Sequence, residues 1–147
     1  VEADGLTNTD TATSVAIELL RSHPELTGII GLSSSSGVGI GNAIGQLGYP
    51  HDGLTIVVHG REEMVLEFVE GGVIDATIVG KTALTAYIAV AALEDYQLRK
   101  HADVPVAADL QELGLVLLPE KVDVGAIVVH KENVQHFKRK NLPAVME

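Results

Sequence analysis

Apolar residues fall along the chain in two textures. Short β-branched runs at Thr27–Leu32 (TGIIGL), Leu54–His59 (LTIVVH), Val73–Val79 (VIDATIV) and Ala126–His130 (AIVVH) read as buried strands. Between them, apolar positions recur at helical spacing: Ala12, Val15, Ala16, Leu19 and Leu20; then Ile40, Ala43, Ile44 and Leu47; then Met64, Val65, Phe68 and Val69; then Leu84, Ile88, Ala91 and Ala92. Asn8, Thr9 or Asp10 can cap the first helix, and His23-Pro24 ends it, because proline disfavours helical geometry in the residue before it. Gly48 with Pro50 stops the second helix and Gly71-Gly72 the third. This alternation predicts an α/β fold, three-layered with a mainly parallel sheet. From His101 to Leu113 the pattern weakens into a surface excursion.

Composition narrows the partners. The chain has 147 residues, one domain or a piece of one, and its 46% hydrophobic content excludes a disordered segment. Twenty acidic against ten basic residues give a formal charge of −10. That sign argues against a nucleic-acid partner, which needs a basic face, and against docking on an anionic membrane. There is no cysteine, so disulfides, thiolate catalysis and Cys-zinc sites are excluded. No stretch approaches the roughly 18 apolar residues of a transmembrane helix. The chain starts at Val1 with no visible signal peptide, which fits a processed protein and a fragment alike.

In an open parallel sheet, ligands sit beyond the carboxyl ends of the strands. Two segments fall there. Leu32-Ser33-Ser34-Ser35-Ser36-Gly37 links a strand to a helix, and its hydroxyls and the helix N-terminus offer donors to a polyol or an anion. The plainer alternative is that one serine caps the helix and the others are solvated. His59-Gly60-Arg61 also leaves a strand for a helix; Arg61 either grips a hydroxyl or carboxylate with its fork of donors or is a surface residue of the first turn. Gly37, Gly39 and Gly41 follow a G-x-G-x-G spacing, whereas a dinucleotide fingerprint would need its third glycine where Asn42 stands. There is no G-x-S-x-G elbow, P-loop or metal-binding histidine spacing, so neither cofactor nor metal is expected. Asp75 interrupts an apolar run and reads as a strand-edge residue rather than half of an acid pair.

Three stretches resemble the sugar-type periplasmic binding proteins of ABC importers. Ser22–Gly48 is similar to that family's helix end, strand, polar loop and following helix. Leu54–Ile78, with TIVVHGREEMVLEFVEGGVIDATI, resembles the next strand, helix, V-x-x-G turn and A-T-(I/V) strand. Gly114–Phe137, GLVLLPEKVDVGAIVVHKENVQHF, looks like the closing segment, with Lys-Glu-Asn before a terminal helix, and is most similar to the autoinducer- and rhamnose-binding branch.

The resemblance implies one lobe of a two-lobed clamshell. Residues 1–79 match the carboxyl-terminal lobe. Residues 80–113 match a hinge crossing and a helix that packs on the other lobe, and 114–147 a segment returning across the hinge. The implied function is capture of a small polyhydroxylated ligand by lobe closure, without catalysis. The implied partners are the missing amino-terminal lobe and an ABC permease, in the periplasm or another extracytoplasmic space. Classical pentose and hexose binders place Asn-Asp after the first of these strands and Asp after the second; Ser33-Ser34 and Gly60 stand there instead. On the autoinducer-type pattern, Leu32 and Ser34 match contact positions, Ser33 and Ser35 flank them, and His59, Gly60 and Arg61 lie at the cleft by position. Thr85 stands where the family usually has Gly. The lone fragment is expected to self-associate through its 80–95 helix. Three alternatives remain open: the effector-sensing half of a related regulator, a small α/β enzyme using the Ser/Gly loop, and a purely structural or assembly domain.

Overall fold

A computed structural model of the protein describes residues 1–3, 8–48, 53–99 and 121–141. The expected excursion at His101–Leu113, Pro50 and the start of the closing segment lie outside the described residues. The chain divides into two units, Val1–Gly80 with Ile127–Glu147, and Lys81–Ala126.

The first unit carries helices α1 (Thr9–Ser22), α2 (Ser34–Leu47) and α3 (Glu63–Gly71), and strands β1 (Gly28–Gly31), β2 (Thr55–His59) and β3 (Ala76–Gly80); β4 (Ala126–His130) completes its sheet. The strand order is β1-β2-β3-β4. Strands β1 and β2 run parallel with Gly28 opposite Thr55 and Gly31 opposite Val58; β2 and β3 run parallel with Val57 opposite Ala76 and His59 opposite Ile78. This is the α/β fold with a mainly parallel sheet that the sequence predicts.

The helix ends follow from their residues. Asn8 caps α1, its Oδ1 accepting the amides of Asp10 and Thr11 at 2.8 and 3.1 Å. The helix stops at His23, ahead of Pro24. Gly48 and Gly72, both left-handed, close α2 and α3. On β2, Ile56 and Val58 are buried while Thr55 and His59 are exposed, so the strand faces the core with alternate residues. Leu20, Ile56, Val58, Leu66, Ile74 and Val129 are fully buried. Each such side chain contributes about 1.5–3 kcal/mol of hydrophobic stabilisation.

One strand begins later than its apolar run. Val73 and Ile74 are still in the turn that closes α3, their amides both donating to the Phe68 carbonyl. Asp75 then starts the sheet contact: its amide donates to the Ile56 carbonyl at 3.0 Å and its carboxylate accepts the Ile56 amide at 2.7 Å. Asp75 is thus a strand-edge acid, bonded to the neighbouring strand, and β3 starts at Ala76.

The glycines of the G-x-G-x-G run lie inside α2 and are buried. A Cβ on Gly37 would come 3.1 Å from Val65, one on Gly39 would come 2.6 Å from the Ala12 Cβ and 2.8 Å from its backbone carbon, and one on Gly41 would overlap the Phe68 ring. Close packing of α2 on its neighbours accounts for all three.

After β4 the chain forms two 3-10 turns, Val134–His136 and Arg139–Asn141, rather than an α-helix. Its amides bond three residues back, His136 to Asn133, Phe137 to Val134 and Asn141 to Lys138. Asn133 sets the bend: its Oδ1 accepts the His130 amide and its Nδ2 donates to the Val128 carbonyl.

The second unit contains α4 (Thr82–Arg99). Tyr87, Val90 and Leu93 are 71%, 64% and 62% exposed, and Ala83, Ala86, Ala89 and Ala91 are exposed as well. No helix among the described residues is long and apolar enough to cross a membrane.

Candidate functional site at the carboxyl ends of β1 and β2

Parallel pairing makes β1 and β2 end at the same edge of the sheet, so the Leu32-Ser33 link and the Gly60–Glu62 loop leave side by side. The first turn of α2 begins at Ser34 rather than after the whole serine run. Ser33 is extended (φ −137°, ψ 162°) and its Oγ accepts the Ser36 amide at 3.1 Å, which makes it the cap of α2. That oxygen also lies 3.0 Å from Ser35 Oγ and 2.7 Å from Ser36 Oγ. The plain reading of the serine run therefore holds for the cap but not for the rest, because the hydroxyls form a half-buried network instead of being solvated. Ser34 stands outside that network, and its Oγ lies over Gly60.

Gly60 is fixed at both backbone groups. Its amide donates to the Ile78 carbonyl at 3.1 Å, and its carbonyl accepts from the buried Thr77 hydroxyl at 2.7 Å. Its φ is 143°, a conformation that residues with a Cβ rarely adopt. A Cβ there would lie 2.5 Å from Glu62 Oε2, 2.9 Å from Ser34 Oγ and 3.2 Å from Ser34 Cα. Glycine is what lets the two loops close on each other.

Of the residues expected from sequence, the structure brings Ser34 and Gly60 together directly. Leu32, 83% exposed, and the half-buried Ser33 precede α2, and the half-buried Ser35 lies in its first turn. His59 and Arg61 flank Gly60, both exposed. The Arg61 Nη2 donates to the Phe137 carbonyl at 3.1 Å, so part of its donor fork ties the closing segment to this loop. Thr77 and Glu62 escaped sequence reasoning. A threonine inside a strand carries no site signal, and the Glu62 carboxylate matters only because Ser34 is folded against Gly60.

The closing segment is also held to α3 by charge. The Lys138 ammonium, almost fully buried, pairs with the Glu70 carboxylate, which also accepts from Gln135. The hydrogen bond from Lys138, then that from Gln135, holds Glu70 below the usual carboxylate range, and the Glu70 bond raises Lys138. Among the described residues no group of three His, Asp or Glu side chains is placed to hold a metal ion. Chemically the edge offers hydroxyls, the amide end of α2 and one carboxylate. The Ser33 and Ser36 hydroxyls bond each other rather than a base, and nucleophilic activation needs a base.

Residues 1–100 match the family described as periplasmic binding protein domain. No curated protein matches the chain by sequence. Among solved structures, the chain is similar to an arabinose-binding protein from Geobacillus stearothermophilus, with 28% identity and a TM-score of 0.72 over 91% of this chain and 43% of that one. It is also similar to a sugar-binding protein of a sugar ABC transporter from Bacillus halodurans, with 26% identity and a TM-score of 0.70 over 91% and 44%. An ABC transporter solute-binding protein from Agrobacterium vitis with bound D-fucose shares the fold, at 24% identity and a TM-score of 0.66 over 92% and 41%. The chain spans less than half the length of these structures and has the fold of one lobe.

Proposed function

From the premise that the chain belongs to the periplasmic binding protein domain family, we propose that it is the carboxyl-terminal lobe of an exported sugar-binding protein serving an ABC importer. The observation that carries the proposal is the meeting of Ser34 with Gly60 at the carboxyl ends of β1 and β2, where an open parallel sheet binds its ligands. A hydroxyl-rich edge suits a neutral, polyhydroxylated ligand, and the names of the similar structures, binders of arabinose and D-fucose, support a sugar. A second lobe supplies the opposite wall, and the ligand favours the closed arrangement because it touches both. No bond is made or broken.

Helix α4 supports the two-lobed reading. A helix that is apolar around most of its circumference belongs in an interior, and α4 exposes Tyr87, Val90 and Leu93. In this reading it packs on the missing amino-terminal lobe, and the isolated chain self-associates through it.

Calorimetric titration of the complete polypeptide with arabinose, D-fucose and D-allose tests the function. Saturable binding of at least one sugar, recovered unchanged, is expected. Binding of none, or conversion of any of them, overturns it.

A further inference from the structure

Consecutive residues of the closing segment bind three different points along α3 and the loop before it. The Phe137 carbonyl accepts from Arg61 Nη2 at 3.1 Å, ahead of the helix. The Lys138 ammonium pairs with Glu70 in the last turn, and the Arg139 amide donates to Glu63 Oε2 in the first turn at 3.4 Å. Glu63, Glu67 and Glu70 stand at spacings of four and three, so they share one helix face. The segment that binds them carries Lys138, Arg139 and Lys140 in a row, three of the chain's ten basic residues, so the match of charge is built into both partners. The Glu70 hydrogen bond, then the charges of Glu70, Glu67 and Glu63, favour the Lys138 ammonium against its burial. Val134, fully buried, and Phe137, packed on the core, seat the segment from below.

We infer that the closing segment is a strap that sets the position of the site edge, with Arg61 as the positioning residue that joins the two. The assignment rests on the sugar-binding function proposed above, whose site edge it concerns. Arg61 follows Gly60 directly, so a hold on its guanidinium through Phe137 restrains the chain where β2 ends. The sheet holds the other side of that loop, through the Ile78 carbonyl and the Thr77 hydroxyl at Gly60. The Phe137 carbonyl stays within reach of Arg61 because its neighbour Lys138 is seated on Glu70. With the acceptor already fixed, only the Arg61 side chain has to be ordered when their bond forms. The ion pair, in the turn of α3 farthest from the loop, thereby acts on the site without touching a ligand.

The test reads the amide exchange of Gly60, which donates to Ile78, against that of Thr55, which donates to Thr27 at the opposite end of β2. The variants are Arg61→Ala, Lys138→Met, the two combined, and Lys131→Met. Arg61 is exposed, and Lys138→Met leaves Glu70 bonded to Gln135, so the variants fold, and thermal midpoints verify this. Arg61→Ala and Lys138→Met are each expected to speed Gly60 exchange relative to Thr55 by about two- to tenfold, the size of one lost hydrogen bond. Their combination gives no more than the larger single effect, because both release the same tie. Lys131→Met, which removes an exposed lysine of the same segment, leaves the ratio unchanged. In the complete polypeptide, calorimetry is expected to show the affinity for the best-bound of arabinose, D-fucose and D-allose falling by a similar factor in Arg61→Ala and Lys138→Met. A Gly60 ratio unmoved by either single variant, or single effects that multiply in the combination, overturns the strap. Faster Gly60 exchange with unchanged sugar affinity overturns its hold on the site. Failure of the unaltered protein to bind any sugar overturns the function proposed above, while the exchange ratios still decide the strap by themselves.

Discussion

The Thr77 hydroxyl donates to the Gly60 carbonyl at 2.7 Å from a fully buried position. Strand β3 thereby braces the loop that follows β2, and the site edge is held from the sheet interior. Thr77→Val keeps the shape and removes the donor, leaving the buried carbonyl unsatisfied. The expected loss of stability is about 1–3 kcal/mol. Urea unfolding measures it, and faster exchange of the Gly60 amide would show that the loop has loosened.

Two glycines of α2 should respond in opposite directions. Gly39→Ala places a methyl 2.6 Å from Ala12 Cβ and 2.8 Å from Ala12 backbone, which cannot move aside without shifting α1. Overpacking of this kind costs about 1–3 kcal/mol. Gly45→Ala meets nothing within 4 Å and gains helix propensity, so stability rises by about 0.5–1 kcal/mol. Thermal midpoints of the two variants against the parent test the pair, and an equal response from both would contradict the packing account.

The Glu70–Lys138 pair predicts a particular dependence on pH. Glu70 is lowered from its ordinary 4.5, so its contribution is fully present above that value and is lost as pH falls through the lower folded value. Lys138 is raised from its ordinary 10.5, so its contribution is present below that value and is lost as pH rises through the higher folded one. Between these limits the pair contributes steadily. Glu70→Gln should flatten the acid limb of a plot of urea midpoint against pH while leaving the slope near neutrality unaltered; an unchanged acid limb would remove the pair from the stability of the closing segment.

Self-association should run through α4. Val90→Lys with Leu93→Lys charges the helix where it is 64% and 62% exposed. Light scattering of the isolated chain is expected to show an oligomer that the double variant converts to monomer. A monomeric parent at high concentration would contradict the assignment.

Much of the scaffold was legible because it rests on local chemistry. Ile and Val runs located the strands, and Asn8, Pro24, Gly48 and Gly72 marked helix ends within a residue of where they fall. The start of β3 was not legible, because Val73 and Ile74 are as β-prone as the strand itself and only the Phe68 carbonyl keeps them in the preceding turn. The site was legible as two loops but not as a constellation. Arg61 reads as a free donor in sequence, yet it bonds a carbonyl 76 residues away. Glu62 reads as a helix-start acid, and only the fold of Ser34 onto Gly60 shows where its carboxylate lies.

The lobe is assembled from two stretches of chain, with β4 lying beside β3 although residues 81–125 separate them. That intervening segment is thus a guest spliced into a host rather than an appendage. Exchanging it for an unrelated module, such as a fluorescent reporter, would leave every strand of the host sheet in place. The reporter would then be anchored at both ends in the sheet that bears the site.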